Sequence, residues 1–185
     1  MSSIPAFDPA AAQGKTKDLL DAVNKALGVV PNMFRVAAQS PAALEGLVDF
    51  NAAVQRGKLG PKIREQIALS AAETKGCDYC LSVHSVLGKH AGLSDADMAE
   101  ARVGRAADPK TQTALRFAAK LSDRRGQVGD ADFAEIRKAG FSDGDIVEII
   151  AAAVLNIFTN TLNIAAATDI DFPPVHAHAS PLMQR

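Results

Sequence analysis

Helix start and stop signals punctuate this chain almost from end to end, and they leave little room for any other element. Ser40-Pro41 is a Ser N-cap followed by Pro at the first helical position, where its missing N–H is not needed. A helix is predicted from there to about Arg56. Gly60-Pro61 opens "PKIREQIALSAAETKG", and Gly76 closes it. The next helix starts near Cys77 and runs to about Ala91, where Gly92 stops it. Ser94 then caps the short "DADMAEAR". Upstream, "TKDLLDAVNKAL" puts Leu19, Leu20, Val23 and Leu27 on one face. Gly28 ends it, and "VVPNMFRVAAQS" turns into a short helix. Downstream, "DPKTQTALRFAAKLSDRRG" and "DADFAEIRKAG" are helical. Ser142 then caps "DGDIVEIIAAAVLNIFTNTLNIAAATD". No alternating stretch is bounded by hairpin signals, so the expected fold is an all-α helical bundle.

The chain has 185 residues, which suits one domain, 1–185. Its core is expected over about 16–173, with short mobile tails at both ends. His176 and His178, in "PPVHAHASPLMQR", fall in the second tail. "AGLSDADM" (91–98) and "AGFSDGDI" (139–146) agree at five of eight positions. Either capping chemistry repeats by itself, or the chain holds two related halves. In a duplication, Arg125, Val128 and Asp132 would stand opposite Cys77, Cys80 and His84, and only the first copy would be chemically active.

Charge narrows the function classes. Basic residues number 20 and acidic residues 21, with no long run of one sign, so no nucleic-acid footprint is expected. The N-terminus does not read as a signal peptide. The apolar run from Ile149 to Thr159 is too short to span a bilayer and reads as a core helix. A cytoplasmic protein without a membrane partner is the expectation, and there a close cysteine pair is catalytic, redox-sensing or metal-binding rather than a permanent staple.

The chain's two cysteines lie in "CDYCLSVH". Helical spacing puts Cys77, Cys80 and His84 on one stripe of about two turns. The pair sits in the first turn, where free N–H groups and the helix dipole favour a thiolate. His84, one turn below Cys80, can take the thiol proton directly or through a water. A catalytic imidazole needs a partner to fix its tautomer. Glu65 is the candidate, because a hairpin pivoting at Gly76 brings residues some ten before the turn opposite residues some ten after it. Glu73 is too close to the turn for that role.

Glu65, Cys77, Cys80 and His84 at this spacing, with the flanks "VVPNMFRVAAQSPAALEGL" and "GFSDGDIVEIIAAAVLNIFTNTLN", resemble the AhpD-like alkylhydroperoxidase and carboxymuconolactone decarboxylase superfamily. The flanks resemble its peroxidase-related branch, and the likeness covers roughly residues 16 to 173. The resemblance implies an all-helical oligomer, commonly a trimer or hexamer. It implies a thiol-dependent hydroperoxidase or disulfide reductase in which Cys80 attacks the peroxide and becomes a sulfenic acid. Cys77 then closes the disulfide, and His84 with Glu65 moves the proton. Its partners would be a hydroperoxide and an external dithiol of the lipoyl or thioredoxin type, with no cofactor. One position departs from the pattern. Tyr79 stands where the best-known members carry a second histidine, and a phenol is a poor base near neutral pH. The decarboxylase branch generally lacks the cysteine pair, which disfavours lactone decarboxylation.

Rival readings of the same residues stay open. The cysteines could be small core residues. They could also form a redox switch in a non-enzymatic oligomer. Cys77, Cys80, His84 and Glu65 could supply four zinc ligands, but structural zinc sites usually draw on two chain segments with the C-x-x-C in a turn, so no metal is assigned. Phe34 and Met33 pack over the core or roof an apolar substrate pocket, and Tyr79 and Phe34 are the candidate substrate contacts. Asn160 and Asn163, on an apolar helix, need partners and are expected to bond neighbouring backbone or line the site.

Overall fold

The computed structural model describes residues 2–178. Among them every regular element is helical: a short 3₁₀ turn at Pro9–Ala11, then α1 (Gly14–Leu27), α2 (Asn32–Ala37), α3 (Pro41–Arg56), α4 (Pro61–Lys75), α5 (Asp78–His90), α6 (Asp95–Arg102), α7 (Pro109–Asp123), α8 (Asp130–Lys138) and α9 (Asp143–Ala166). The caps act where the sequence put them. Ser40 Oγ accepts from Ala43 N at 3.3 Å. Ser94 with Asp97, and Ser142 with Asp145, each form a reciprocal capping box.

α4 is the central element, flanked by α5, α6, α7 and α9. Its Ile67 packs with Leu115 of α7, Ile136 of α8 and Ile149 of α9. Its Leu69 packs on the other side with Leu81 of α5 and Met98 of α6, in the cluster that holds both cysteines. A third cluster joins Leu20 of α1, Phe34 of α2 and Leu44 and Leu47 of α3 to Leu155 of α9. The sequence similarity between the halves has a structural counterpart. α4 and α7 both start at Pro (61 and 109) with fifteen residues each, and α6 and α9 both start on a Ser cap (94 and 142). In both copies the apolar residues flanking the capping box are buried, Leu93 and Met98 in one and Phe141 and Ile146 in the other. Asp132, the counterpart of His84, pairs with Lys120 at 2.5 Å and has no role near the cysteines.

Two expectations change. The apolar run in α9 was read as simply buried. It is buried on one face, through Ile149, Ala152 and Leu155, while Val147, Val154 and Phe158 stand exposed on the other. α9 as a whole is long and apolar enough to cross a bilayer, yet it packs against α3, α4 and α7, and half of its most apolar window is buried. Glu148, which interrupts the apolar run, turns inward and accepts from Leu59 N at 2.6 Å, pinning the α3–α4 loop.

The second change is in the tail. The sequence reading placed His176 and His178 in a mobile segment, but both are held against α4 and α5. Val175 N donates to Ser82 Oγ at 2.9 Å, and Ala177 N donates to Asp78 Oδ1 at 2.9 Å. His176 Nδ1 lies 2.7 Å from Asp78 Oδ2. His178 N donates to Glu73 Oε1 at 2.7 Å, and Arg102 Nε donates to Glu73 Oε2 at 2.7 Å. Burial alone would raise the Glu73 pKa. The hydrogen bonds from Arg102 and His178 outweigh it and hold the carboxyl below its ordinary value.

The α4–α5 connection depends on Gly76, whose φ of 69° is left-handed. An L side chain there carries a steric cost. Gly76→Ala should therefore lose about 1–2 kcal/mol of stability, a drop in thermal midpoint of about 2–4 °C per kcal/mol for a chain of this size. Calorimetry checks this, and an unchanged midpoint would mean that the turn does not need glycine.

Candidate functional site

The site is built on the α4–α5 hairpin. After the left-handed turn, Cys77 N donates to Ala72 O at 2.9 Å, so only Gly76 and Cys77 separate α4 from α5. Cys77 is the N-cap of α5, and its sulfur accepts from Cys80 N at 3.3 Å. The two cysteines form a disulfide with their Cα atoms 5.3 Å apart. Both are buried, at 2% and 1% exposure.

About two turns into α5, His84 meets α4. Its Nδ1 lies 2.8 Å from Glu65 Oε2, with Glu65 buried and His84 half-buried. The hairpin thus brings together the histidine and carboxylate that the sequence spacing had paired. A carboxylate can only accept here, so Nδ1 carries the hydrogen and Nε2 is left as the basic nitrogen. Glu73, set aside as too near the turn, is occupied by Arg102 and His178.

α9 closes the far side. Asn163 Nδ2 donates to Cys80 Sγ at 3.4 Å, and Asn163 Oδ1 is buried without a hydrogen-bond partner. Asn160 is 1% exposed, and neither of its side-chain polar atoms has a partner among the described residues. Of the two amides flagged in the sequence, Asn163 therefore lines the site and Asn160 neither lines it nor bonds backbone.

A cavity of about 650 Å³ opens beside these groups, between α1–α3 on one side and α4, α5 and α9 on the other. Val23, Phe34 and Val48 form part of its apolar wall, and Cys80, His84, Glu65 and Asn163 lie on the opposite wall. Cys80 borders the cavity; Cys77 does not. Phe34 packs in the α1–α3 cluster and also edges the cavity.

Tyr79 also borders the cavity but is tied down. Its hydroxyl accepts from Met33 N at 3.1 Å, and its ring meets Phe172 edge-on with centroids 6.0 Å apart. Burial pushes its pKa well above the ordinary value; the Met33 N–H opposes this and the Asp171 carboxylate adds to it. The phenol stays neutral across physiological pH and cannot stand in for a histidine base. No cluster of three or more His, Cys, Asp or Glu suited to a metal ion occurs among the described residues.

Arg56, Gln55 and Arg64 also line the cavity, and the sequence reading missed them as site residues. Arg64 donates through Nη1 to Leu59 O and through Nη2 to Gln55 Oε1 at 2.9 Å. The available signal was a basic residue next to Glu65 on a helix whose following turns are apolar.

Comparison with known proteins agrees with this geometry. Residues 41–124 match the model of the carboxymuconolactone decarboxylase family. No curated protein sequence matches the chain. Among solved structures, a peroxidase-related protein with an alkylhydroperoxidase AhpD core, from Ralstonia eutropha JMP134, superposes with a TM-score of 0.84 at 23% identity over 92% of each chain. A peroxidase-related protein from Silicibacter sp. TM1040 gives 0.76 at 24% identity, over 93% of this chain and 92% of that one. The debrominase Bmp8 gives 0.77 at 19% identity over 91% of each. At these identities the likeness to the solved structures is one of fold. The family match spans α3 to α7, and the fold is shared with these AhpD-like structures over nearly the whole length of the chain.

Proposed function

We propose that the protein is a thiol-dependent hydroperoxidase in which Cys80 is the attacking cysteine and Cys77 the resolving one. The observation that carries this reading is the asymmetry of the pair. Cys80 opens onto the cavity, on the wall that also holds the His84–Glu65 couple, while Cys77 is sequestered from it. In the reduced protein His84 Nε2 takes the Cys80 proton. The thiolate attacks one peroxide oxygen, the O–O bond breaks, and the departing alkoxide leaves as the alcohol with that proton. Cys80 is now a sulfenic acid. The Cys77 thiolate attacks its sulfur, water leaves, and the disulfide forms. An external dithiol then supplies two electrons and two protons to restore both thiols, becoming a disulfide itself.

The first turn of α5 supports the thiolate state through its N–H groups and dipole, and the Asn163 amide adds a donor to Cys80 Sγ. With this division of labour, Cys80→Ser should abolish peroxide consumption with a dithiol as reductant. Cys77→Ser should give one turnover and leave a sulfenic acid on Cys80, detected by mass after dimedone trapping. Equal residual turnover in both variants would sink the two-cysteine mechanism.

The relay makes a separate prediction. Glu65→Gln removes the charge that stabilises the His84 imidazolium. The pH profile of Cys80 alkylation should shift to higher pH, with the rate at neutral pH falling about tenfold for each unit of that shift. An unshifted profile removes Glu65 from the relay.

A redox switch is the second reading, and the burial of both cysteines favours it, because a reductant must reach a sheltered bond. Thiol counting during dithiol-driven turnover separates the two. One stoichiometric oxidation without turnover supports the switch.

We also infer a homo-oligomer. Val147, Val154 and Phe158 leave an apolar stripe on α9 that a second copy of the chain can cover. Val154→Glu combined with Phe158→Glu should lower the mass measured by light scattering to that of one chain. An unchanged mass above one chain would move the interface elsewhere.

A further inference from the structure

The cavity has two chemically different ends. The Glu65–His84 contact fixes the register of the α4–α5 hairpin. Cys80 lies four residues from His84 toward the Gly76 turn, about 6 Å along the helix axis. Arg64 lies one residue beyond Glu65, away from that turn, and Gln55 and Arg56 join it from the end of α3. Going along the cavity, the order is therefore Cys80, then the His84–Glu65 couple, then Arg64 with Arg56. The walls between are largely apolar.

The cationic end is not neutralised. Arg64 spends Nη1 and Nη2 on two neutral acceptors, Leu59 O and Gln55 Oε1, and its Nε is buried without a partner among the described residues. Neither Arg64 nor Arg56 forms an ion pair among the described residues. The carboxylate on the cavity wall nearest to them, Glu65, is turned to His84. A half-buried guanidinium, Arg64, beside an exposed one, Arg56, at the edge of an apolar cavity, neither of them ion-paired although Glu148 bonds the adjacent loop at Leu59 N, is matched by an anion that arrives with the ligand. The volume, about 650 Å³, is that of a site for a sizeable organic molecule and far exceeds the need of hydrogen peroxide.

We infer that the cavity selects an organic acid: an apolar body whose carboxylate pairs with Arg64 and Arg56 and whose reactive group reaches Cys80. The inference rests on the hydroperoxidase reading only for the nature of that reactive group, so the matching substrate class is a carboxylate-bearing organic hydroperoxide.

Two arms test it. In the first, wild-type protein with a dithiol is given linoleic acid 9-hydroperoxide and, separately, its methyl ester. The acid should be preferred in kcat/KM by about tenfold or more, the size expected of a charge-assisted hydrogen bond. In Arg64→Gln combined with Arg56→Gln, that ratio should fall to about one. In the second, Cys80→Ser protein is titrated calorimetrically with the corresponding hydroxy acid and its methyl ester, which needs no redox chemistry. The acid should again bind about tenfold more tightly, and the double arginine substitution should remove the difference. Discrimination in binding without any peroxide turnover would overturn the peroxidase reading and leave the acid site standing. Equal binding of acid and ester to protein with both arginines intact overturns the acid site whatever the turnover. Arg64→Lys separates a general charge effect from the planar fork: it should recover only part of the preference.

Discussion

The hydrogen bond between Glu65 and His84 exists because α4 turns into α5 within a single left-handed residue. Gly76 lets the Cys77 N–H reach back to Ala72 O, so α5 begins at once and runs antiparallel to α4. A connection this short leaves little freedom in the register of the two helices. Cys80 in the first turn of α5, His84 one turn on, and Glu65 opposite all follow from it. α4 has helices packed around it on several sides, so the carboxylate is positioned by the core and not by a mobile surface. A buried carboxylate and a half-buried imidazole each need a partner, and here each supplies the other's.

Local chemistry was readable in the sequence because it is local. Ser40, Ser94 and Ser142 cap the helices they precede, since the donor they satisfy lies three residues away in the chain. The Glu65–His84 pairing was also readable, because one glycine sets the hairpin arithmetic. The cavity was not. It depends on how far α1–α3 stand from α4 and α5, which no periodicity encodes. Leu27, placed on the apolar face of α1, is 47% exposed and lies on the cavity wall. The docking of the tail's described part, up to residue 178, was not readable for a related reason. Pro content suggested a free segment, but Ser82, Asp78 and Glu73, which hold it, lie about a hundred residues earlier in the chain.

α9 shows how a site alters a core helix. Its inward face carries Asn156, Thr159, Asn160 and Asn163 among apolar residues. A helix that only had to fill space would gain from Leu or Ile at these positions, because each buried polar atom left unpaired costs roughly 1–3 kcal/mol. Asn156 recovers part of that cost by donating to Ala152 O, and Asn163 by donating to Cys80 Sγ. Asn160 recovers none among the described residues. Three of the four, all but Asn160, face the cavity, so the polar stripe follows the site wall and not the core.

The disulfide is covered from two directions, and the two covers differ in strength. On the Cys80 side there is the cavity, which a small organic molecule can enter without displacing a helix. On the other side Cys77 shares its buried cluster with Leu93, Met98 and Ala101, against which Phe172 and Val175 also pack. The first three belong to α6 and its approach, and moving them means opening the core. The segment around Phe172 and Val175 is held by that packing, by the edge-on Tyr79–Phe172 contact and by hydrogen bonds worth roughly 1 kcal/mol net each. Lifting that segment therefore costs less than separating α4 from α5 or α6, in the way that edge segments open before cores do.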